Sequence, residues 1–511
     1  MLTKSQPDEI EDYLSDASFV RGGNASRVVF PENAEEVAAT LRDANNSKTP
    51  VTISGAGTGT VAGRVPFGGI VIATDKLNRI GALVSTNGGG RITAEAGVRL
   101  IELQRTVESQ SFIYPPDPTE RTCFVGGNIA TNASGARTFK YGPTRNYVES
   151  LRIALASGEL ISLRRDELHA DAAGRIHLPL SAGGAIEAQL PTYRMPHVRK
   201  HASGYFVAPG MDVIDLFIGS EGTLGVIVEA ELKLLPKPVG LLSGVIFFAN
   251  ETNLLAFVRS VRERSLANRG SSTVKESAIG GSPTVSEGAL DARALEYFDK
   301  GSLRFLRDKY ASVPESAIGA IFFEQETTPE TEDSLMSDWL SLLEQHQALS
   351  DQSWFATTEH DHAKLREFRH ALPVLMNEWF AKYKQRKVST DMSVPDDAFP
   401  EMLKFYQDAL RGGALRFTIF GHIGDNHVHV NILPRDDSEA AKAWDIYHGF
   451  IQKAVELGGT ISAEHGIGKL KREYLRQLYG DEHLREMAEL KRAFDPAGIL
   501  GRGNMFDEEL L

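Results

Sequence analysis

Short β-branched runs alternate with glycine-rich turns through the first 238 residues, at 51–54, 69–73, 91–94, 150–156 and 225–234. The last run ends in Leu234-Leu235-Pro236-Lys237-Pro238, whose prolines mark a boundary. Beyond it the apolar spacing lengthens to that of helices, over 252–267, 333–346 and 362–384. Strands return around 386–395 and 414–433. The chain closes with helices over 438–457 and 482–494, the second stopped by Asp495-Pro496. Residues 165–200 read as a loop insertion, and the Ser/Gly-rich stretch 270–290 as a mobile one. There is no internal repeat.

One stretch of this pattern carries chemistry. Residues 416–420 read as a strand, Gly421 to Asn426 as a turn, and 427–433 as a second strand. In the second strand His427, His429 and Asn431 share one face, while Val428, Val430 and Ile432 take the other. Such a hairpin brings His422 back beside His429. Downstream, Ser462-Ala463-Glu464-His465-Gly466 adds a carboxylate and a fourth imidazole. Imidazole and carboxylate suit Zn²⁺, Mn²⁺ or Fe²⁺, and a further histidine suits a general base. A polar turn with satisfied histidines is the plainer reading of His422-x6-His429 alone.

Composition narrows the field. A chain of 511 residues is too long for one core and implies two or three domains. Its net charge of −13 argues against nucleic acid and against a polybasic membrane anchor. Cys123 is the only cysteine, which excludes an internal disulfide framework, a cysteine-rich zinc site and a protein-held iron–sulfur cluster. The first residues are acidic and lack the apolar core of a secretory signal, so the expected compartment is the cytoplasm. Any membrane docking is left to an acceptor partner.

Three glycine-rich segments point to a large polar cofactor. The first, Val51 to Gly63, is a strand entering the loop Gly55-Ala56-Gly57-Thr58-Gly59, where backbone N–H groups can approach a phosphate. It is not a Rossmann turn: the G-x-G-x-x-G spacing is absent, and Gly63, Pro66, Gly68 and Gly69 leave no room for a helix. The second runs from Tyr114-Pro115-Pro116-Asp117-Pro118 to Gly126-Gly127-Asn128-Ile129-Ala130-Thr131-Asn132-Ala133-Ser134-Gly135. The third is Gly219-Ser220-Glu221-Gly222-Thr223-Leu224-Gly225-Val226-Ile227.

Together with Lys200-x3-Gly204-Tyr205, these segments resemble the FAD domain of the vanillyl-alcohol oxidase/p-cresol methylhydroxylase flavoproteins. The C-terminal half resembles their D-2-hydroxyacid dehydrogenases: D-lactate dehydrogenase, the glycolate oxidase flavin subunit and D-2-hydroxyglutarate dehydrogenase. The match runs from about Val28 to Phe506. It implies an α+β fold, with a two-part FAD-binding domain over 1–238. A substrate (cap) domain over 239–460 would hold an antiparallel sheet, flanking helices and the histidines. Residues 461–511 would form a helical segment completing the active site and the FAD domain.

By this resemblance Gly55, Ala56, Gly57, Thr58 and Gly59 hold the FAD pyrophosphate. Asp117, Gly126, Gly127, Asn128, Thr131, Asn132, Ser134, Gly135, Gly142, Glu221, Gly225, Ile227 and Asn504 line the rest of the cofactor. Covalent members usually carry a histidine in the glycine loop. Thr58 stands there instead, so FAD is expected to be non-covalent. His422, His429 and Glu464 fall on the family's metal-ligand positions, with Zn²⁺ the leading ion. His465 falls on its base, and Arg369 on its substrate-carboxylate arginine. Lys387 is expected to assist substrate binding where Ser389 replaces a family lysine, and Asn431 is assigned to substrate. Pro373 replaces a family threonine.

The family commonly has Gly-Asn where this chain has Asn426-His427. His427 is thereby open to three roles: further ligand, partner of a ligand, or outward-facing residue. The latter two are preferred, because three protein ligands already leave the open positions a catalytic metal needs. The implied reaction oxidises a D-2-hydroxy acid to its 2-keto acid, with hydride passing to flavin N5. Electrons would leave to a quinone, a cytochrome or an electron-transfer flavoprotein. Homodimerisation is compatible with this picture. Two competitors are a flavin subunit working only inside a complex, and the related alkylglycerone-phosphate synthase, a transferase. The transferase has a histidine run where this chain has Ala463-Glu464-His465.

Overall fold

The computed structural model describes residues 1–270 and 289–510, so most of the stretch expected to be mobile lies outside the described residues. Three main sheets organise them. In the first, Arg27–Phe30, Ile70–Ala73 and Val51–Ser54 run parallel, and Leu2–Lys4 joins antiparallel at the edge. Helix Ala34–Ser47 covers it, packing Val37 and Leu41 onto Val29, Ile70 and Ile72. Asn33 caps this helix by accepting from the Glu36 N–H. The free edge of Val51–Ser54 is finished by residues from the far end of the chain. Val51 donates to the Ile499 carbonyl at 2.8 Å, and Gly501 donates back to Val51 at 3.0 Å.

The second sheet is antiparallel and centred on Val226–Pro236, flanked by Gly89–Glu95 and Val148–Ala154. Buried and half-buried positions alternate from Val228 to Leu234 along this central strand, as expected for a sheet with one buried face. It runs two residues past the expected stop because Leu235 and Pro236 pair with Phe112–Ile113. The 165–200 stretch is not simply a loop. It contains the hairpin Arg175–Pro179 with Ala185–Gln189.

The third sheet is wholly antiparallel. Its order is Trp354–Ala356, Gly240–Phe248, Gly319–Thr327, Ala292–Asp299, Phe417–Gly421, His429–Ile432, Val388–Ser389. Helices Glu251–Asn268, Glu332–Gln345 and Glu359–Tyr383 are among those packed around it. Buried ion pairs tie this sheet to the glycine-rich segment. Arg137 bridges Asp117 and Glu324, and Lys140 meets Glu326 at 2.8 Å.

Within that segment Gly135 lies so close to the 117–118 turn that a Cβ would sit 2.0 Å from the Asp117 carbonyl oxygen. Gly135→Ala is therefore expected to cost at least the ~1–3 kcal/mol of an overpacked core site. Thermal unfolding and flavin absorbance per chain should both fall. Unchanged values in both would mean that the turn is free to move.

Candidate active site

The histidine hairpin forms as its alternation requires. Strand Phe417–Gly421 is followed by a 3₁₀ turn at Ile423–Asp425 and strand His429–Ile432, with Phe420 opposite His429. Gly421 adopts φ +117°, and a Cβ there would lie 3.0 Å from His429 Cδ2. Its lack of a side chain lets the two ends of the turn converge. Asn426 ends the 3₁₀ turn at φ +53°, a left-handed position that Asn tolerates better than most residues. Its side chain is held by Arg262 and Asp396.

The imidazoles of His422, His427 and His429 and the Glu464 carboxylate converge, one ligand atom from each lying within 4.8 Å of the others. His422 Nε2 is 3.3 Å from Glu464 Oε1, and His429 Nε2 is 3.8 Å from Oε2. The opposite ring nitrogens are already engaged. His422 Nδ1 lies 2.6 Å from Glu296 Oε1, and His429 Nδ1 lies 2.9 Å from the Thr390 carbonyl. Acceptors at both Nδ1 atoms orient the rings so that each Nε2 faces Glu464, the orientation metal-binding histidines take.

Charge within the cluster is strongly coupled. Burial would raise the Glu296 carboxyl, but the charges of His422 and Arg369 hold it at about 2. Burial would lower His422, yet Glu296 and Glu464 lift it to about 9. Glu464 stays well below the usual carboxylate range: burial opposes this, and His422 and Lys200 prevail. Lys200, fully buried, donates to Glu464 at 2.6 Å and to the Gly135 carbonyl at 2.8 Å.

His465 stands at the rim, 38% exposed, its ring 5.8 Å from that of His429. Its Nδ1 lies 3.1 Å from Asp391 Oδ2. This leaves Nε2 free of that contact, with Asp391 orienting the ring. Asp391 is a hub. It accepts from the backbone N–H groups of Glu464 and His465, from Ser462 and from Lys471. Its carboxyl is held well below the ordinary range; burial opposes this, and His465 and Lys471 outweigh it.

Of the residues expected around substrate, Arg369 and Asn431 lie beside the cluster. Arg369 projects from Glu359–Tyr383 and meets Glu296 at 3.3 Å, so one carboxylate serves both this arginine and His422. Pro373 sits four residues on in the same helix, where it cannot donate to the Arg369 carbonyl. Asn431 is fully buried opposite Ser389, with its Oδ1 unpartnered. Lys387 is solvent-accessible, yet surrounding protein pushes its ammonium below the ordinary lysine value.

The expected cofactor positions also collect around one region, with two local surprises. Glu221 uses its carboxylate on the backbone of Ile467 (2.6 Å) and Gly468 (2.7 Å). Burial lifts its pKa to about 7. Asn504 reaches the Gly63 and Glu221 carbonyls, joining the glycine loop to the third glycine segment. The buried Nδ2 of Asn128 has no hydrogen-bond partner, and a Cβ at neighbouring Gly127 would meet nothing within 4 Å. An unpaired donor beside open space fits a polar cofactor.

Sequence reasoning gave no role to Glu296, Asp391 or Lys200. An acid inside the otherwise uncharged run Val388-Ser389-Thr390-Asp391-Met392 was the available signal for Asp391. Glu296 gives no such local sign, because its partners lie on Glu359–Tyr383 and just past Phe417–Gly421.

Comparison with known proteins decides the family. Residues 25–164 match the FAD binding domain model, and residues 275–505 match that of FAD linked oxidases, C-terminal domain. A protein named D-lactate dehydrogenase from Anaerostipes hadrus is 32% identical, over 98% of this chain and 93% of its own length. The chain belongs to the FAD-linked oxidases. This FAD-linked oxidase is 29% identical to the glycolate oxidase subunit GlcD of Bacillus subtilis (strain 168), over 100% of this chain and 96% of the relative. A solved alkyldihydroxyacetonephosphate synthase shares the fold at TM-score 0.62 and 15% identity, covering 93% of this chain and 77% of that one. The oxidase is thus an FAD-dependent oxidoreductase of the expected two-part α+β architecture. Among its described residues, no helix is long and apolar enough to cross a membrane.

Proposed function

We propose that this oxidase converts a D-2-hydroxy acid of the D-lactate kind to the 2-keto acid and passes the electrons to an external acceptor. The observation that carries this reading is the Ser134 hydroxyl donating to Glu464 at 3.1 Å. It joins a cofactor-lining segment to the imidazole–carboxylate cluster, so a substrate held at the cluster lies beside the flavin. In this reading residues 1–238 bind FAD, 239–460 form the cap, and 461–511 close the site over both. His422, His429 and Glu464 hold a divalent ion, Zn²⁺ foremost; the oriented rings and mixed imidazole–carboxylate donors support that choice.

FAD, when bound, supplies the hydride acceptor, and the ion supplies Lewis acidity at the substrate oxygens. The protein does the rest. Arg369 binds the substrate carboxylate through its planar fork, and Asn431 orients the polar end of the substrate. As the hydroxyl carbon gives up hydride, His465 Nε2 takes the hydroxyl proton. Asp391 then stabilises the imidazolium so formed. D-2-hydroxyglutarate is the second reading: its further carboxylate would need a cation, and Lys387 is accessible. A panel of D-2-hydroxy acids with a dye acceptor should bleach the flavin with D-lactate-like compounds first. Bleaching by none of them would sink the reading.

Two further results are expected. Glu296→Gln removes the anionic acceptor behind His422 and should weaken ion binding by about 10–100-fold in chelator competition. An unchanged affinity would remove Glu296 from that role. Acid denaturation should release all flavin from the polypeptide, since Thr58 in the glycine loop offers no imidazole for attachment. Flavin absorbance that stays with the chain would show covalent linkage.

A further inference from the structure

His427 is fully buried, and neither of its ring nitrogens makes a hydrogen bond. A buried imidazole with both nitrogens unpaired is costly unless something else engages it. Its surroundings indicate what. The ring centroids of His422, His427 and His429 are 5.4, 4.6 and 5.6 Å apart in pairs, so the three rings surround one centre with Glu464.

The nitrogens follow the pattern of the other two histidines with the ring reversed. His427 Nε2 lies 3.3 Å from Asp391 Oδ1, outside hydrogen-bond geometry, and Nδ1 lies 4.0 Å from Glu464 Oε1. Asp391 therefore stands behind His427 as Glu296 stands behind His422 and the Thr390 carbonyl behind His429. Each histidine has an oxygen beside its outer nitrogen, hydrogen-bonded in His422 and His429 and only in contact in His427, and turns the other nitrogen inward. A residue that only oriented Asp391 would leave Nδ1 unpaired at the centre of the cluster. An outward-facing residue is incompatible with full burial.

We propose that His427 is a third imidazole ligand through Nδ1, so that the ion is held by His422, His427, His429 and Glu464. This rests on the metal reading given above and changes its character. Four protein donors, three of them imidazole, shift preference from Mn²⁺ towards Zn²⁺ and other imidazole-seeking ions. They also leave fewer positions for substrate than a three-ligand site.

X-ray absorption of the zinc-loaded, FAD-containing enzyme tests this. The expected coordination shell contains three imidazoles and one carboxylate, falling to two imidazoles in His427→Asn. Chelator competition should show at least a tenfold loss of Zn²⁺ affinity in that variant, with FAD content unchanged. A two-imidazole shell in the unaltered enzyme overturns the proposal and leaves the metal reading standing. An enzyme that binds no ion overturns both. If His427→Asn loses its FAD, the spectrum of the unaltered enzyme alone decides the count.

Discussion

His465→Ala is expected to slow flavin reduction by about 10²–10⁴-fold, the usual contribution of a positioned general base. The variant should keep its FAD and its metal, because Asp391 loses only the ring contact and keeps Ser462 and Lys471. The backbone N–H of residue 465 still reaches Asp391, so the loop keeps its anchor. Anaerobic stopped flow, following flavin bleaching after mixing with D-lactate or D-2-hydroxyglutarate, reads the step without interference from the acceptor. A rate within a few-fold of the unaltered enzyme would mean that the proton leaves by another route. A parallel fall in FAD content would instead assign His465 a structural part, and the two outcomes separate in one preparation.

Exhaustive chelation is the second large effect. Lewis acidity at a substrate oxygen contributes several kcal/mol, and each 1.36 kcal/mol is a factor of ten in rate. Turnover should therefore drop by about 10³-fold or more. FAD should stay bound, since its expected contacts lie on the glycine segments and not on the histidines. Adding back Zn²⁺ or Mn²⁺ should restore the rate. Persistent activity in protein that elemental analysis shows to be metal-free would remove the ion from the reaction.

What the sequence made legible divides along the distance between partners. The hairpin of His422 and His429 is local: glycine, a short turn and alternating valines suffice, and it forms within a residue or two of its expected bounds. Asp391 was half visible, as an acid whose neighbours are uncharged, but its four donors lie more than seventy residues away. Glu296 was invisible, being 126 residues from His422 and 73 from Arg369. The preference for His427 as an outward or supporting residue came from counting ligands. Its full burial excludes the outward placement. The last helix begins just past Gly480, as expected, and what the sequence reading missed is the helical stretch before it. Gly480, at φ +80°, separates the two within Arg472–Phe494.

The pairing of Val51 with residues 499–501 has a consequence for biosynthesis. The strand that leads into the glycine loop gains its last neighbour only when residues some 450 positions later have left the ribosome. Asn504, which steadies the Gly63 end of that loop, arrives later still. Contacts so distant in sequence form slowly, after the nearer ones have settled. The edge of Val51–Ser54 therefore stays open through most of synthesis, and the strand before the glycine loop is completed only at its end.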